Sequence, residues 1–159
     1  MATNVTEQNI SEPIIRTKMV TAENLATQKT MADCGEYGTL VFDEPVAHGG
    51  TGEGPSPLQG VLSALCACES VTFNRTAAEM GFEYNKLSFL AEYKIDIRGR
   101  LGMRGVTQHF KIVRVEIQVE TQEAVERLEE VVKETEQRCP VYNLIQNAGV
   151  DITCQWIRV

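Results

Sequence analysis

The sequence predicts an α+β domain whose helices pack on antiparallel sheets, with the element order βββ-α-ββ-αα-β. The first observation is a set of short runs in which apolar and polar residues alternate with the period of half-buried strands. The second is a pair of helical runs that begin at capping residues and end at glycine or proline. Strands and helices mixed in this order are typical of a layered domain.

The size and charge of the chain limit the kinds of protein that it can be. It has 159 residues, of which 43% are hydrophobic, and a formal net charge of −7. A chain of this size can bury about 70% of the surface that its unfolded form exposes, so it needs no disulfide or structural metal to form a core. The acidic balance argues against a nucleic-acid partner, because such proteins bind phosphates through clustered lysine and arginine.

The N-terminal segment, 1–13, is polar and predicts a flexible tail, while 14–159 predicts a single domain. The tail has neither the basic region nor the apolar region of an export signal. The longest nearly apolar stretch, 61–68, is far shorter than the roughly 20 residues of a membrane-spanning helix. We therefore expect a cytoplasmic protein with no membrane partner.

Three short strands are predicted after the tail, over 14–20, 26–31 and 37–43. The third has the clearest alternation, and the stretch from Asp33 to Gly35 predicts the hairpin turn before it. These strands supply the first three elements of the predicted order.

A loop rich in glycine and proline leads into a long helix. Ser56 is a good N-cap, and Pro57 suits the first helical position because its missing N–H would have no partner there. The run 58–80 ends at Gly81, which supplies a left-handed stop, so we predict one helix of about 35 Å. Its centre, 61–68, is apolar almost all round, which predicts burial against a second copy of the chain.

The next two strands are predicted over 86–98 and 109–120, joined by a glycine-rich turn. Strands joined in this way should pair antiparallel. Thr121 should cap the following helix, which carries the apolar stripe Val125, Leu128, Val131 and Val132.

The C-terminal part predicts a helix end, a short helix and a strand. The long helical run stops at Cys139 and Pro140, and a helical piece over 140–148 ends at Gly149. Alternating apolar residues from Val150 onward predict the last strand.

Five cysteines are the residues most able to carry chemistry. Their odd number and the expected reducing compartment argue against a disulfide framework. Cys66 and Cys68 stand about 200° apart around the predicted helix, so they cannot pair while it holds, and Cys66 is the better core filler. Cys139, at a helix end, is a reasonable second thiol. Cys34 and Cys154 have no spacing argument, and each cysteine could instead be an inert buried thiol.

No metal site and no cofactor is predicted. The two helical cysteines cannot present both sulfurs to one ion, and neither His48 nor His109 belongs to a ligand spacing typical of zinc sites. The glycines over 49–54 have the density of a phosphate-binding loop but lack its Lys and Ser/Thr, so we interpret the segment as a tight turn.

Two segments resemble the OsmC/Ohr family, the osmotically inducible and organic hydroperoxide resistance proteins. They are DEPVAHGGTGEGPSPLQGVLSALCAC, at 43–68, and RCPVYNLI, at 138–145. The resemblance implies an intertwined homodimer with two long central helices and a thiol peroxidase site at the subunit interface. It also implies that Cys68 is the peroxidatic cysteine and Cys139 the resolving cysteine.

The implied reaction explains why two thiols are present. A thiolate attacks the outer oxygen of a hydroperoxide and becomes a sulfenic acid, with which a second thiol condenses to a disulfide. By resemblance, an external dithiol of lipoyl or thioredoxin type then reduces the disulfide. We expect organic hydroperoxides as substrates because Val61 and Leu65 predict an apolar lining, and each buried methylene is worth about 0.8 kcal/mol.

Thiolate formation at Cys68 requires a nearby cation, because the residue lies about three turns into its helix, beyond the reach of the N-terminal dipole. The resemblance implies an activating Arg and Glu. The Glu position falls at or beside Leu58 and Gln59, and the hairpin that should supply the Arg offers a lysine, which lacks the planar fork of arginine. The activating candidates are therefore Glu53, Gln59, Lys29 and Arg75.

The missing acidic and arginine residues leave a second hypothesis open. The chain could be a non-catalytic dimeric module that binds an apolar ligand, or a thiol redox sensor that passes its disulfide to a partner. Reactivity of Cys68 toward an alkylating reagent distinguishes the two, because a catalytic cysteine needs a high thiolate fraction.

Overall fold

The computed structural model describes residues 13–159, so the predicted tail, apart from the exposed Pro13, lies outside the described residues. The chain divides into two compact units, Met1–Pro55 and Ser56–Val159. The expectation of one domain over 14–159 stays a prediction. We describe each unit by itself.

The first unit contains a three-stranded antiparallel sheet in the order β1-β2-β3. Its strands are β1 (Thr21–Asn24), β2 (Thr30–Asp33) and β3 (Thr39–Phe42). One turn of 3₁₀ helix, Gly35–Tyr37, joins β2 to β3 close to the predicted turn.

The strand predicted over 14–20 is wrong, because β1 begins only at Thr21. The hairpin explains the shift. The Asn24 side chain donates to the carbonyls of Thr27, at 2.7 Å, and Lys29, at 2.8 Å, and its Oδ1 accepts the Ala26 N–H at 2.9 Å. Asn24 thereby closes the turn and pairs the polar residues just before it with β2, whereas apolar alternation alone favoured a segment farther upstream.

The second unit holds four helices and a three-stranded sheet in the order β4-β5-β6. Its elements are α1 (Pro57–Met80), β4 (Lys86–Lys94), α2 (Ile97–Arg100), β5 (Ile112–Glu120), α3 (Val125–Arg138), α4 (Pro140–Asn147) and β6 (Asp151–Arg158). Together with the first unit this gives the predicted order of strands and main helices, with the single turn α2 added.

The long helix forms as predicted. The Ser56 hydroxyl accepts the Gln59 N–H at 3.3 Å while the Gln59 side chain accepts the Ser56 N–H at 3.0 Å, which makes a reciprocal N-terminal cap. Gly81 ends the helix with a left-handed φ of 63°. The helix packs against α3, α4 and β4, and Phe73 on it stacks on Trp156 with ring centroids 5.0 Å apart.

Two predictions about the sheet need correction. Strand β4 ends at Lys94, because the Asp96 side chain accepts the Arg98 N–H and starts the turn α2 where the strand was predicted to continue. Strands β4 and β5 pair antiparallel as predicted, but β6 runs parallel to β5. Helices α3 and α4 carry the chain back along the sheet, so β6 starts at the same end as β5.

Thr121 does not cap α3, whose N-cap is Ala124. Its buried hydroxyl instead donates to the Glu83 carbonyl at 2.5 Å and accepts the Glu123 N–H at 3.1 Å. It therefore tightens the turn between β5 and α3. Of the predicted apolar stripe, Leu128 and Val131 are buried and Val132 is half-buried on α3, whereas Val125 is 48% exposed, so the stripe was predicted one turn too long.

Candidate active site

The two cysteines of the predicted reaction lie next to each other in the second unit. Cys68 is half-buried on α1, and Cys139 is fully buried between α3 and α4, with both thiols free. Burial raises the pKa of Cys139 to about 12, opposed by the Tyr142 N–H and reinforced by the adjacent Cys68 thiol. A thiol–thiol interaction of this kind requires the two sulfurs to be neighbours.

Local sequence sets the position of Cys139. Pro140 has no N–H and disfavours helical angles in the residue before it, so Cys139 is extended, with φ −75° and ψ 111°. Its carbonyl accepts the backbone N–H of Asn143 at 3.1 Å and the side-chain amide at 2.8 Å. The break between the helices is therefore held in one conformation.

Ion pairs tie α3 to α1 near this break. Arg138 contacts Glu79 of α1 at 2.5 Å and Glu134 of its own helix at 2.8 Å. Arg127 donates to the Met80 carbonyl at 2.7 Å. These contacts hold the helix that precedes Cys139 against the helix that carries Cys68.

Glu69 is a buried carboxyl that the sequence reasoning missed. It is 0% exposed, and neither side-chain oxygen has a hydrogen-bond partner. Burial raises the pKa of Glu69 to about 7, and the negative charge of Glu136 adds to this effect. The Cys139 thiol is near enough to lower that pKa, but it does not reach hydrogen-bonding geometry with either oxygen.

A sequence signal for Glu69 exists. The buried residues of α1 recur at helical spacing, and Glu69 stands among them in the series Leu62, Leu65, Glu69, Phe73 and Thr76. An acidic residue on an otherwise buried face is costly and therefore worth examining as a functional group.

Cys68, Glu69 and Cys139 form one cluster, and two other thiols lie around it. Burial raises the pKa of Cys66 and, much further, that of Cys154 on β6. The thiolate form of each is therefore scarce near neutral pH, which favours the inert interpretation for both. Glu136, whose pKa burial also raises, accepts the Trp156 Nε1–H at 3.2 Å.

Two of the four predicted activating residues meet in the first unit. Lys29 Nζ lies 2.9 Å from a carboxylate oxygen of Glu53, whose other oxygen accepts the Thr51 hydroxyl at 2.9 Å. These hydrogen bonds, that from Lys29 first, hold the pKa of Glu53 below its ordinary value.

The other two candidates, Gln59 and Arg75, belong to the second unit. Gln59 uses its side-chain oxygen in the cap of α1, and Arg75 is exposed on the same helix. Leu65, which was expected to line an apolar site, is fully buried in the core, whereas Val61 is 41% exposed. The expected lining is therefore reduced to Val61.

The glycine-rich segment is a loop built around the buried Asp43. One carboxylate oxygen accepts the Glu44 N–H at 2.8 Å, and the other accepts the Thr51 N–H at 2.9 Å, the Thr51 hydroxyl at 2.6 Å and the Glu53 N–H at 3.2 Å. The Thr51 hydroxyl makes the largest contribution to a pKa of Asp43 far below its ordinary value. This loop holds the backbone that carries Glu53.

Gly50→Ala should disrupt this loop. A Cβ at residue 50 would lie 1.8 Å from the Glu44 carbonyl oxygen and 2.8 Å from an Asp43 carboxylate oxygen. We expect a loss of about 2 kcal/mol in the stability of the first unit, because backbone must move to relieve the clash. Hydrogen exchange at the Thr51 and Glu53 amides should accelerate. His48→Ala, at an exposed position of the same loop, is the control, and equal exchange in both variants would contradict the prediction.

Within 13–159, no three His, Cys, Asp or Glu side chains converge on a possible metal position. A cavity of about 620 Å³ lies between α3 and β6, and its walls include Val132, Cys154 and Trp156. Neither Cys68 nor Cys139 lines it. No helix in the described range has the length and apolar character needed to cross a membrane.

The sequence matches a known protein family. The family model described as OsmC-like protein matches residues 50–155, which include both cysteines of the cluster. No curated protein matches the sequence. The resemblance predicted from the two sequence segments is confirmed.

Solved structures share the fold. An OsmC-like protein from Mycoplasma pneumoniae is 20% identical with a TM-score of 0.74, covering 91% of this chain and 99% of that chain. The organic hydroperoxide resistance protein OsmC of Legionella pneumophila is 18% identical, with a TM-score of 0.65 over 91% and 99%. The organic hydroperoxide resistance protein OhrB of Bacillus subtilis is 21% identical, with a TM-score of 0.59 over 89% and 98%. The predicted α+β fold class is confirmed.

Proposed function

This chain belongs to the OsmC-like family, and we propose that it is a cysteine-based peroxidase that reduces organic hydroperoxides. In this proposal Cys68 is the peroxidatic residue and Cys139 resolves its sulfenic acid. The observation that carries the proposal is the proximity of these two thiols, which come from α1 and from the break between α3 and α4 and are close enough for Cys68 to raise the pKa of Cys139. Family membership supports the reaction class, since the family includes organic hydroperoxide resistance proteins.

The first step oxidises Cys68. Its thiolate sulfur attacks the outer oxygen of the hydroperoxide, the O–O bond breaks, and the departing alkoxide takes a proton to become an alcohol. In the second step the Cys139 sulfur attacks the sulfenic sulfur of Cys68. A disulfide forms, and the oxygen leaves as water.

An external dithiol of lipoyl or thioredoxin type completes the cycle by returning two electrons and two protons. A reducing cytoplasm would supply it. A homodimer accords with the surface of α1, where Val61 and Val71 remain 41% and 51% exposed in the single chain. An apolar helix face of this kind is stabilised by burial against a second copy.

The test is a peroxide titration of the reduced protein, with cumene hydroperoxide compared to hydrogen peroxide and the products mapped by mass spectrometry. We expect fast formation of a Cys68–Cys139 disulfide and a preference for the organic substrate. Cys68→Ser should abolish the reaction, whereas Cys66→Ser, two residues away on the same helix, should leave it intact. Slow oxidation at the same rate in the wild type and in Cys68→Ser would overturn the proposal and favour the ligand-binding module or the thiol sensor.

We further propose, from the family resemblance, that a cation activates Cys68, with Lys29 and Arg75 as the candidates. Lys29 forms an ion pair with the candidate Glu53 inside the first unit. The variant that lacks the activating cation, Lys29→Met or Arg75→Met, should slow both alkylation of Cys68 by iodoacetamide at pH 7 and its oxidation by about tenfold, because a cation favours the thiolate. Unchanged rates in both variants would contradict the proposal.

A further inference from the structure

We propose that Glu69 is the base that takes the proton of Cys139 as this thiol attacks the Cys68 sulfenic acid. The inference rests on the proposed peroxidase function and assigns the resolution step a catalytic residue. Glu69 occupies the inner face of α1, follows Cys68 directly in the chain and lies beside the thiol that must lose its proton.

The placement of the carboxyl is unusual. Among residues 13–159, buried side-chain oxygens without a hydrogen-bond partner occur only in Glu69 and Thr76. A fully buried carboxyl normally receives hydrogen bonds, because leaving it without them costs free energy. Both Glu69 oxygens therefore remain able to accept a proton from the neighbouring thiol.

The resolution step needs such an acceptor. Burial holds the pKa of Cys139 far above neutral pH, so very little of this thiol is ionised at pH 7, yet the thiolate is the nucleophile in disulfide formation. Spontaneous ionisation in this buried position would therefore limit the rate. A base beside the thiol removes the limit when it closes to hydrogen-bonding distance, because the proton then leaves as the S–S bond forms.

The surroundings of Glu69 suit a base that works near neutral pH. The titratable groups that interact with Glu69 or Cys139 are Cys66 and Cys68 of α1, Glu136 of α3, Tyr142 of α4 and Cys154 of β6. None is a cation, so no ion pair within the described residues stabilises the Glu69 carboxylate. Its pKa of about 7 leaves it half ionised near neutral pH and a stronger base than an ordinary carboxylate.

The step balances without any further reagent. The Glu69 carboxylate takes the Cys139 proton, the Cys139 sulfur forms a bond to the Cys68 sulfur, and the S–O bond of the sulfenic acid breaks. The departing hydroxide takes the proton back from Glu69 and leaves as water. The Cys68 sulfur is reduced, the Cys139 sulfur is oxidised to the same level, and Glu69 returns to its starting form.

The experiment separates the two chemical steps. Reduced protein is mixed with cumene hydroperoxide and quenched at intervals with a sulfenic acid trap, and mass spectrometry quantifies the trapped Cys68 and the Cys68–Cys139 disulfide. Glu69→Gln should leave sulfenic acid formation unchanged and slow disulfide formation at pH 7 by at least about 100-fold. Disulfide formation at the wild-type rate would overturn the role of Glu69.

The pH profile gives a readout that a purely structural role would not move. In the wild type the resolution rate should rise as Glu69 ionises, with a midpoint near pH 7, and then level off. In Glu69→Gln it should rise about tenfold per pH unit without levelling near neutrality, because hydroxide must then remove the thiol proton. An unchanged profile in the variant would contradict the proposal.

Glu136→Gln is the matched control. Glu136 is also a partly buried acid of the cluster, and its negative charge raises the pKa of Glu69. Removing it should keep the plateau rate and move the midpoint to lower pH. This variant retains Glu69, so the proposal can be tested even if Glu69→Gln does not fold, and an unmoved midpoint would count against it.

A second arm needs no peroxide. Reaction of the reduced protein with Ellman's reagent places a mixed disulfide on Cys68, and mass spectrometry follows its conversion into the Cys68–Cys139 disulfide. Glu69→Gln should slow this conversion by a similar factor. If peroxide fails to oxidise Cys68 in the wild type, the proposed function fails, while this arm still decides the role of Glu69.

Discussion

Cys139→Ser protein is expected to react with one hydroperoxide per chain and then lose activity by overoxidation of Cys68. The first step needs only the Cys68 thiolate, so its rate should be nearly unchanged. The sulfenic acid then has no neighbouring thiol, and excess peroxide converts it to sulfinic and sulfonic acids. With a dithiol reductant present, we expect sustained turnover to fall by about 100-fold, equivalent to about 2.7 kcal/mol in the barrier.

The measurement is peroxide consumption over many turnovers, followed by mass spectrometry of the Cys68 peptide. Cys154→Ser is the matched control, because Cys154 is a half-buried thiol of the same cluster whose pKa burial raises strongly. That variant should turn over at close to the wild-type rate. Sustained turnover in Cys139→Ser, with a disulfide from Cys68 to another cysteine, would show that a different thiol resolves the sulfenic acid.

Local signals explain which parts of the fold could be predicted. The limits of α1 depend on Ser56, Pro57 and Gly81, each of which acts on backbone groups within a few residues of itself. The alternation in β5 likewise predicted the buried faces of Val113 and Ile117. Elements of this kind can be predicted because the residues that determine them lie close in the chain to the backbone that they affect.

Long-range features could not be read in the same way. The parallel pairing of β6 depends on how two helices return the chain across the sheet, and alternation is the same for either strand direction. The hairpin start at Thr21 depends on a side-chain network centred on Asn24, which lies among polar residues that suggested no strand.

The candidate site shows the same division. The resemblance paired Cys68 with Cys139 and suggested Lys29 and Glu53 as separate substitutes for two family residues, and the latter two form an ion pair. The role of each stays a proposal. Glu69 shares helical spacing with the buried Leu65 and Phe73, but it escaped notice because the depth of its burial results from the packing of α3 and α4 on α1.

The buried carboxyl of Glu69 also predicts an effect on stability that is independent of catalysis. Its pKa rises from 4.5 in the unfolded chain to about 7 in the folded chain, so between these values the folded state binds more protons than the unfolded state. The wild type should therefore lose stability as pH rises through this window. Relative to Glu69→Gln, which has no charge to bury, the loss between pH 5 and pH 8 should be about 2 to 3 kcal/mol.

Urea unfolding at pH 5 and pH 8 measures the free energy of unfolding of each protein. Groups that titrate alike in both proteins cancel when the variant is compared with the wild type. Glu136→Gln is the control, since the indole of Trp156 donates a hydrogen bond to Glu136 and lowers its pKa against the effect of burial. We expect a smaller pH-dependent difference there. A Glu69→Gln protein whose stability relative to wild type is the same at pH 5 and pH 8 would mean that Glu69 is not buried as a titrating acid. The half-ionised base required for resolution near neutral pH would then be absent.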